Sequence, residues 1–185
     1  TADDDYIAVI ARENIVSTLI DSRLVNLKSN TLTASSGEFT TLATVYEICL
    51  RYEELLTGSK AQINMLPAKA VVNLARTNLV DFWEKFLKIS AYESSLIDPS
   101  GSADAKRAEI RKQSINCKPI VQRALAEAIF TLISDEDDDE TTLTIDEVVE
   151  RINQVDWSPE DPLWQGILMN GDKVITGNSA MKFAS

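Results

Sequence analysis

The spacing of apolar residues constrains the fold of this chain more than any other feature of its sequence. Over most of the 185 residues, apolar side chains recur at three- and four-residue steps, which places them on one face of an α-helix. This period predicts helices at about residues 4–22, 41–57, 67–89, 103–114, 119–134 and 144–152. We therefore expect a mainly all-α fold, a bundle of about five or six helices with a small irregular or β-hairpin C-terminal segment.

The apolar stripes also predict which residues face the core. The stripe of the third helix is the widest, which is typical of a central helix, and the second helix carries a face that is apolar except at Glu53. The predicted inward residues are Ile7, Ala11, Ile15, Val16, Leu19 and Ile20; Leu42, Val45, Tyr46, Cys49 and Leu56; Val71, Val72, Ala75, Leu79, Phe82, Trp83, Phe86 and Ile89; Val121, Leu125, Ala128, Ile129 and Leu132; and Ile145, Val148, Val149 and Ile152.

Several residues mark where helices begin, end or give way to turns. Gly58 follows the second helix where a left-handed C-terminal cap is expected, and Pro119 suits a first helical turn. Thr144 and Glu147 have the spacing of a capping box. The Asn170-Gly171 pair predicts a small hairpin within residues 169–175.

The length of the chain fits one domain, residues 1–185, with room for a hydrophobic core. The polar stretch 24–38 is predicted to be a loop with short structure, and residues 98–102 are predicted to break the chain between helices. The sequence starts at Thr1 without a methionine, so we expect a C-terminal fragment of a longer protein.

The residue inventory argues against several kinds of chemistry. The chain has no histidine, which excludes a Ser-His-Asp triad, a Cys-His pair and a histidine-ligated zinc within it. Cys49 is expected to be a buried thiol, and Cys117 lies beside Lys118 at a helix entrance; both suit a reducing cytoplasm. No apolar run is long enough to cross a membrane. We expect no catalysis, no metal and no cofactor.

Charge is unevenly distributed along the chain, whose net charge is −11. One window carries six cations and a single acid, Glu109; the cations are Lys106, Arg107, Arg111, Lys112, Lys118 and Arg123. Arg107 and Arg111 are one helical turn apart and should point the same way. Two interpretations stay open: a solvated helix face that balances nearby acids, or a patch that contacts nucleic-acid phosphates.

An acidic run at residues 135–140 follows this basic window. Its six consecutive acids lack the alternating ligands and glycine of an EF-hand, so the run is expected to be a solvated loop. The alternative is a DNA-mimicking or autoinhibitory segment that competes for the basic window.

Three stretches of the chain carry a resemblance to a known family. The first runs from Glu38 to Tyr46, and the second from Arg111-Lys112 through Ile115 to Ala124-Leu125. The third is Asp156-Trp157-Ser158 with Leu163-Trp164 and Gly166. In addition, Phe82-Trp83-Glu84 lies where the family has an aromatic–acid helix. With these motifs the chain resembles the DNA sulfur-modification protein B (DndB) and DGQHR-domain family. The family's Asp-Gly-Gln-His-Arg motif is absent, which implies the C-terminal helical part of such a protein.

The resemblance implies a bacterial cytoplasmic protein associated with DNA phosphorothioate modification. In that system the B protein is linked to control of the modification genes through DNA binding, not to sulfur transfer. Our first hypothesis is therefore a regulatory, DNA-associated domain whose six cations contact phosphates. The alternative is a protein-interaction or oligomerisation module, which binds other proteins of the modification system or a second copy of the chain.

The two hypotheses predict different surfaces. Exposed apolar area around Trp164, Ile167, Leu168 and Met169 would support the interaction module. Trp157 and Trp164 are expected to anchor the C-terminal segment to the core, and the alternative is that they stack on bases.

Overall fold

The structure is a computed structural model that describes residues 5–33, 35–60, 67–96, 103–134, 142–171 and 173–175. The predicted break at 98–102 and the acidic run at 135–140 lie outside the described residues. The helices are α1 (Tyr6–Ile10), continued by a π-helix (Ala11–Ile20), α2 (Leu42–Thr57), α3 (Lys69–Phe86), α4 (Ser90–Ser95), α5 (Asp104–Gln113), α6 (Pro119–Ser134) and α7 (Ile145–Ile152). The predicted mainly α-helical bundle is confirmed, and α4 is one helix more than the pattern indicated.

The first helix changes type along its length. Asp5 caps it by accepting a hydrogen bond from the Ala8 amide. From Ala11 onward the backbone is π-helical, whose bonds span five residues rather than four. The buried side chains then recur at intervals of four to five residues, which matches the wider turn. The predicted helix is confirmed. The three- and four-residue spacing of its apolar residues predicts an α-helix and does not reveal the π-helical part.

The second helix has the predicted boundaries. Thr41 caps its start by accepting a hydrogen bond from the Thr44 amide, and Gly58 follows its end in the left-handed conformation, with φ 64°. A left-handed residue suits glycine because a Cβ atom is disfavoured there. The helix packs along α6, and two ion pairs join them, Arg51 to Glu127 and Arg123 to Glu47.

The third helix ends earlier than predicted, at Phe86 rather than Ile89. The side chain of Asn153, just after α7, accepts a hydrogen bond from the Ser90 amide and donates one to the Lys88 carbonyl. These bonds satisfy backbone groups that a continuing helix would use. Ile89 is buried as predicted, but it lies in the turn that leads to α4.

The last two helices follow the predicted pattern closely. Helix α6 runs from Pro119 to Ser134, and the capping box of Thr144 and Glu147 is present at the start of α7. The four predicted inward residues of α7 are all buried. Three other inward predictions are wrong, since Leu56, Val71 and Leu132 are exposed. Each lies in the first or last turn of its helix, where fewer neighbours cover the side chain.

Aromatic rings fill the centre of the core around Phe82. The ring of Phe82 lies 4.7 Å from Tyr52, 5.2 Å from Phe130, 5.4 Å from Phe86 and 6.1 Å from Trp83, measured between centroids. These rings come from α2, α3 and α6, so α3 is the central helix that its wide stripe predicted. Packed aromatic pairs add stabilisation beyond the area that they bury.

Two small strand pairs complete the described fold. Strands β1 (Val25–Asn26) and β2 (Thr40–Thr41) pair in parallel, which ties both ends of the predicted 24–38 loop together. Strands β3 (Met169–Asn170) and β4 (Lys173–Val174) form the predicted C-terminal hairpin.

One carboxyl group is buried inside the bundle. Glu53 of α2 is buried, and the Tyr6 hydroxyl donates a hydrogen bond of 3.2 Å to it. Burial raises the pKa of Glu53 above its usual value, and the Tyr6 hydrogen bond offsets only part of that rise. The ionised carboxylate therefore destabilises the folded state at pH values above its raised pKa, and this cost disappears as the pH falls through that pKa.

We expect Glu53→Gln to stabilise the protein at pH 7, because the amide keeps an acceptor for Tyr6 without the buried charge. The melting temperature should rise by a few degrees at pH 7, about 2–4 °C per 1 kcal/mol for a chain of this length. The gain should shrink as the pH approaches about 4, where the carboxyl group is protonated. Scanning calorimetry from pH 4 to 8 measures both trends, with Glu84→Gln on the exposed side of α3 as control. A lower melting temperature at pH 7 would contradict this account.

Candidate functional site

The six cations of the basic window do not share one exposed face. Arg107 and Arg111 are buried, with 2% and 3% of their surface exposed. Lys106 and Lys112 are exposed, whereas Lys118 and Arg123 are half-buried. The two arginines do point the same way, as predicted, but that direction is inward.

The buried arginines hold a piece of backbone that precedes α2. Arg107 donates a hydrogen bond from Nε to the Gly37 carbonyl, and its guanidinium forms an ion pair with Asp104. Arg111 donates from Nη1 to the Ser36 carbonyl over 3.0 Å. These two residues are therefore not part of a solvated helix face, since their guanidinium groups are buried and bind protein carbonyls.

Gly37 allows this close approach. A Cβ atom at position 37 would lie 2.4 Å from Cγ of Asp104, so a larger residue would force the Asp104 side chain to move. Asp104 in turn pairs with Arg107. Gly37, near the end of the predicted 24–38 loop, is thus a contact point between that loop and α5.

A glutamine on α6 completes the attachment of the same backbone. Thr40 donates from Oγ1 to Oε1 of Gln122 over 2.7 Å, and Nε2 of Gln122 donates to the Phe39 carbonyl over 3.3 Å. We call residues 36–41 the anchored segment. Gln122 was not among the predicted site residues, although it lies one turn before Leu125 on the buried face of α6, where a polar residue signals a buried hydrogen bond.

The anchored segment joins two stretches on which the family resemblance rests. The Phe39 ring packs edge-on against Tyr92, with centroids 5.1 Å apart, so the segment is also held by the aromatic core. Gln122, within the second stretch, binds Phe39 and Thr40 of the first, so the two stretches are in contact.

The remaining cations are partly neutralised. Arg123 pairs with Glu47, and Lys112 lies 3.7 Å from Glu109. Within the described residues Lys106 and Lys118 form no ion pair. Burial, together with the nearby Arg111 charge, lowers the pKa of Lys118. The exposed positive charge of the window is thus smaller than its sequence indicates.

The two C-terminal tryptophans form a stacked pair, with ring centroids 4.6 Å apart and planes inclined by 11°. Trp157 donates from Nε1 to the Ile152 carbonyl over 2.9 Å, and Trp164 donates to the Asp156 carbonyl over 2.8 Å. Both indoles pack against the core, which agrees with their predicted role as anchors of this segment.

The exposed apolar area near Trp164, which would support the interaction module, is small. Ile167 is exposed, but Leu168 and Met169 are buried. The neighbouring Leu163 is exposed instead. A larger exposed apolar pair lies on α3, where Val71 and Leu74 are 44% and 63% exposed and one helical turn apart.

Both thiols are buried and protonated. Burial raises the pKa of Cys49 to about 12 and that of Cys117 to about 11. The Trp83 indole donates to Sγ of Cys49 over 3.2 Å. Among the described residues, no group of acidic or thiol side chains could hold a metal ion. In that same part of the chain, no helix has the length and apolar character that crossing a membrane requires.

These features define a mainly α-helical domain in which a basic helix anchors the backbone that precedes α2. The chain matches the DndB family, described as DNA-sulfur modification-associated, over residues 3–185, and it belongs to that family. The resemblance in the motifs is thereby confirmed, and with it the association with DNA sulfur modification. No curated protein and no solved structure matches the chain.

Arg111→Ala and Lys112→Ala separate a structural arginine from its exposed neighbour. We expect Arg111→Ala to lower the free energy of unfolding by about 1–3 kcal/mol, because the Ser36 carbonyl loses its donor. Lys112→Ala should change it by no more than about 0.5 kcal/mol, as is usual at the surface. Urea denaturation measures both. Small and equal changes, with DNA affinity lost only in Arg111→Ala, would restore Arg111 as a phosphate contact.

Proposed function

We propose that this domain serves DNA sulfur modification as a non-catalytic, regulatory interaction module. Its partners are other proteins of the modification system or a second copy of the chain, in the cytoplasm of a bacterium. The observation that carries the proposal is the use of the cations: Arg107 and Arg111 bind backbone carbonyls, and Arg123 binds Glu47. A net charge of −11 also disfavours a surface that binds DNA nonspecifically.

The first turns of α3 supply an apolar surface for such a partner. Val71 and Leu74 are exposed in the first two turns of the helix, and Val71 lies one turn before the buried Ala75, so this surface borders the face that enters the core. Arg76, close by, donates to the side chains of Asn14 and Asn73, so its charge is held beside this surface. Exposed apolar residues with a polar rim are typical of protein-binding sites.

We expect Leu74→Asp to weaken partner binding or self-association by about tenfold or more, since a buried interface residue is replaced by a charge. Calorimetric titration with each purified protein of the modification system, and light scattering coupled to size-exclusion chromatography, measure the two forms of association. Leu27→Asp, another exposed leucine, is the matched control. Equal loss in both variants, or association unchanged by Leu74→Asp, would reject the α3 surface.

The second candidate is the regulatory, DNA-associated role. The observation in its favour is that Lys106 and Lys112 are exposed and Lys118 is half-buried on one stretch of chain. These lysines could contact phosphates without the arginines, although Lys112 lies near Glu109.

The triple variant Lys106→Ala/Lys112→Ala/Lys118→Ala tests this role by fluorescence anisotropy with duplex DNA, with and without phosphorothioate linkages. If the lysines contact phosphates, the slope of log affinity against log salt should flatten by up to about 3. The matched control is Lys28→Ala/Lys60→Ala/Lys69→Ala, which removes the same number of charges at exposed lysines outside the basic window. No binding at low salt, or equal effects of both triple variants, would leave the interaction module as the better account.

A further inference from the structure

A polar pocket of about 210 Å³ opens beside the C-terminal segment. It is lined from three parts of the chain: the start of α4, the turn after α5 and the stretch that follows α7. The residues that matter below are Ser114, Asn116, Asp156, Trp157 and Ser158. The pocket is separate from the cations of the basic window, none of which lines it.

Asn116 has an unused hydrogen-bonding group in this pocket. Its surface is only 2% exposed, and its Oδ1 accepts a hydrogen bond of 2.8 Å from Ser114. The other end of the amide has no partner among the described residues. If the amide were turned over, its amino group would meet Ser114 and the oxygen would be left free, so one end is unpaired either way. Because Asn116 lines the pocket, this end of its amide is available to hydrogen-bond a ligand or water there.

Trp157 lines the pocket, and Trp164 does not. The Trp157 indole is fixed by stacking on Trp164 and by its bond to the Ile152 carbonyl. An indole fixed before binding favours a flat ligand that stacks, since little side-chain freedom is lost.

The charge of the pocket disfavours phosphate and favours an amino group. Asp156 is the one charged residue among the described residues that line it. One carboxylate oxygen of Asp156 accepts from the Ser158 amide over 2.8 Å, which leaves the other oxygen available as an acceptor. Carboxylates accept hydrogen bonds from the exocyclic amino group of cytosine, and asparagine pairs with donor and acceptor groups on base edges.

We propose that this pocket binds a single nucleobase with an exocyclic amino group, cytosine first, stacked beside Trp157 and hydrogen-bonded to Asn116 and Asp156. The volume accommodates one ring system, less than a drug-sized ligand needs. The base comes either from a free nucleoside or from a strand in which it is turned out of the stack. This site goes beyond the interaction surface on α3.

The test is a titration followed by ¹H–¹⁵N NMR, which resolves the side-chain amide of Asn116 and the indole N–H of Trp157. Cytidine and uridine form a matched pair of nearly equal size: cytosine has an amino group and an unprotonated ring nitrogen where uracil has a carbonyl oxygen and an N–H, so both the donor to Asp156 and the acceptor for Asn116 are reversed. We expect both signals to shift with cytidine, with a Kd on the order of 1 mM, and the affinity for uridine to be about tenfold or more weaker.

Asp156→Asn and Glu160→Gln provide the variants. Asp156 and Glu160 are both exposed, so neither change should unfold the protein, and Glu160 does not line the pocket. Asp156→Asn should abolish the preference for cytidine over uridine, and Glu160→Gln should leave it unchanged. Equal affinity of the unchanged protein for both nucleosides would overturn the proposal.

A single-stranded hexamer of deoxycytidylate distinguishes the two sources of the base. Shifts of Asn116 and Trp157 with both cytidine and the hexamer, or with cytidine alone, support the pocket, and their relative affinities identify the source. The same shifts with the hexamer alone also support it and assign the base to a strand. If both ligands leave these two signals unmoved, at millimolar cytidine and at low salt, the pocket does not bind a nucleobase.

Discussion

The attachment of residues 36–41 to α5 and α6 is the interaction on which the rest of this fold depends. Arg107 and Arg111 bind the backbone at Gly37 and Ser36, and Gln122 binds it at Phe39. The same segment ends at Thr41, which caps α2 and pairs with β1. Because α2 packs along α6, fixing the start of α2 also fixes how these two helices align with each other. Three polar side chains thereby fix the position of α2 relative to α5 and α6, between which the apolar core packs.

This use of arginine has an energetic consequence for the surface. Burial lowers the pKa of Arg111, since the charged form is taken out of water, and the nearby Cys117 and Glu38 side chains offset only part of that effect. A cation held in this way stabilises the segment that it binds. Because Arg107 and Arg111 are buried, the acidic character of the chain is more pronounced at its surface than its composition implies.

The sequence predicted the helices where local signals agreed, and it failed where distant contacts decided. Helix α7 has both a capping box and a clean apolar stripe, and its boundaries follow. The end of α3 depends on Asn153, 67 positions after its last residue Phe86, so no local pattern reveals it. The burial of the two arginines was missed for a similar reason: charge spacing showed that Arg107 and Arg111 share a direction, but whether that direction is solvent or protein depends on a loop 70 positions earlier.

The pocket and the anchored segment are connected through one short path of buried contacts. The Asn116 carbonyl accepts a hydrogen bond of 2.8 Å from the Tyr92 hydroxyl, and the Tyr92 ring packs against Phe39. On the other side, the Ile115 amide donates to the Trp157 carbonyl over 2.9 Å. Asn116 is therefore held from both directions, and an occupant that displaced it would disturb the aromatic core. A site built on such residues binds a ligand that fits its existing shape, because rearrangement would cost more than a small ligand can supply.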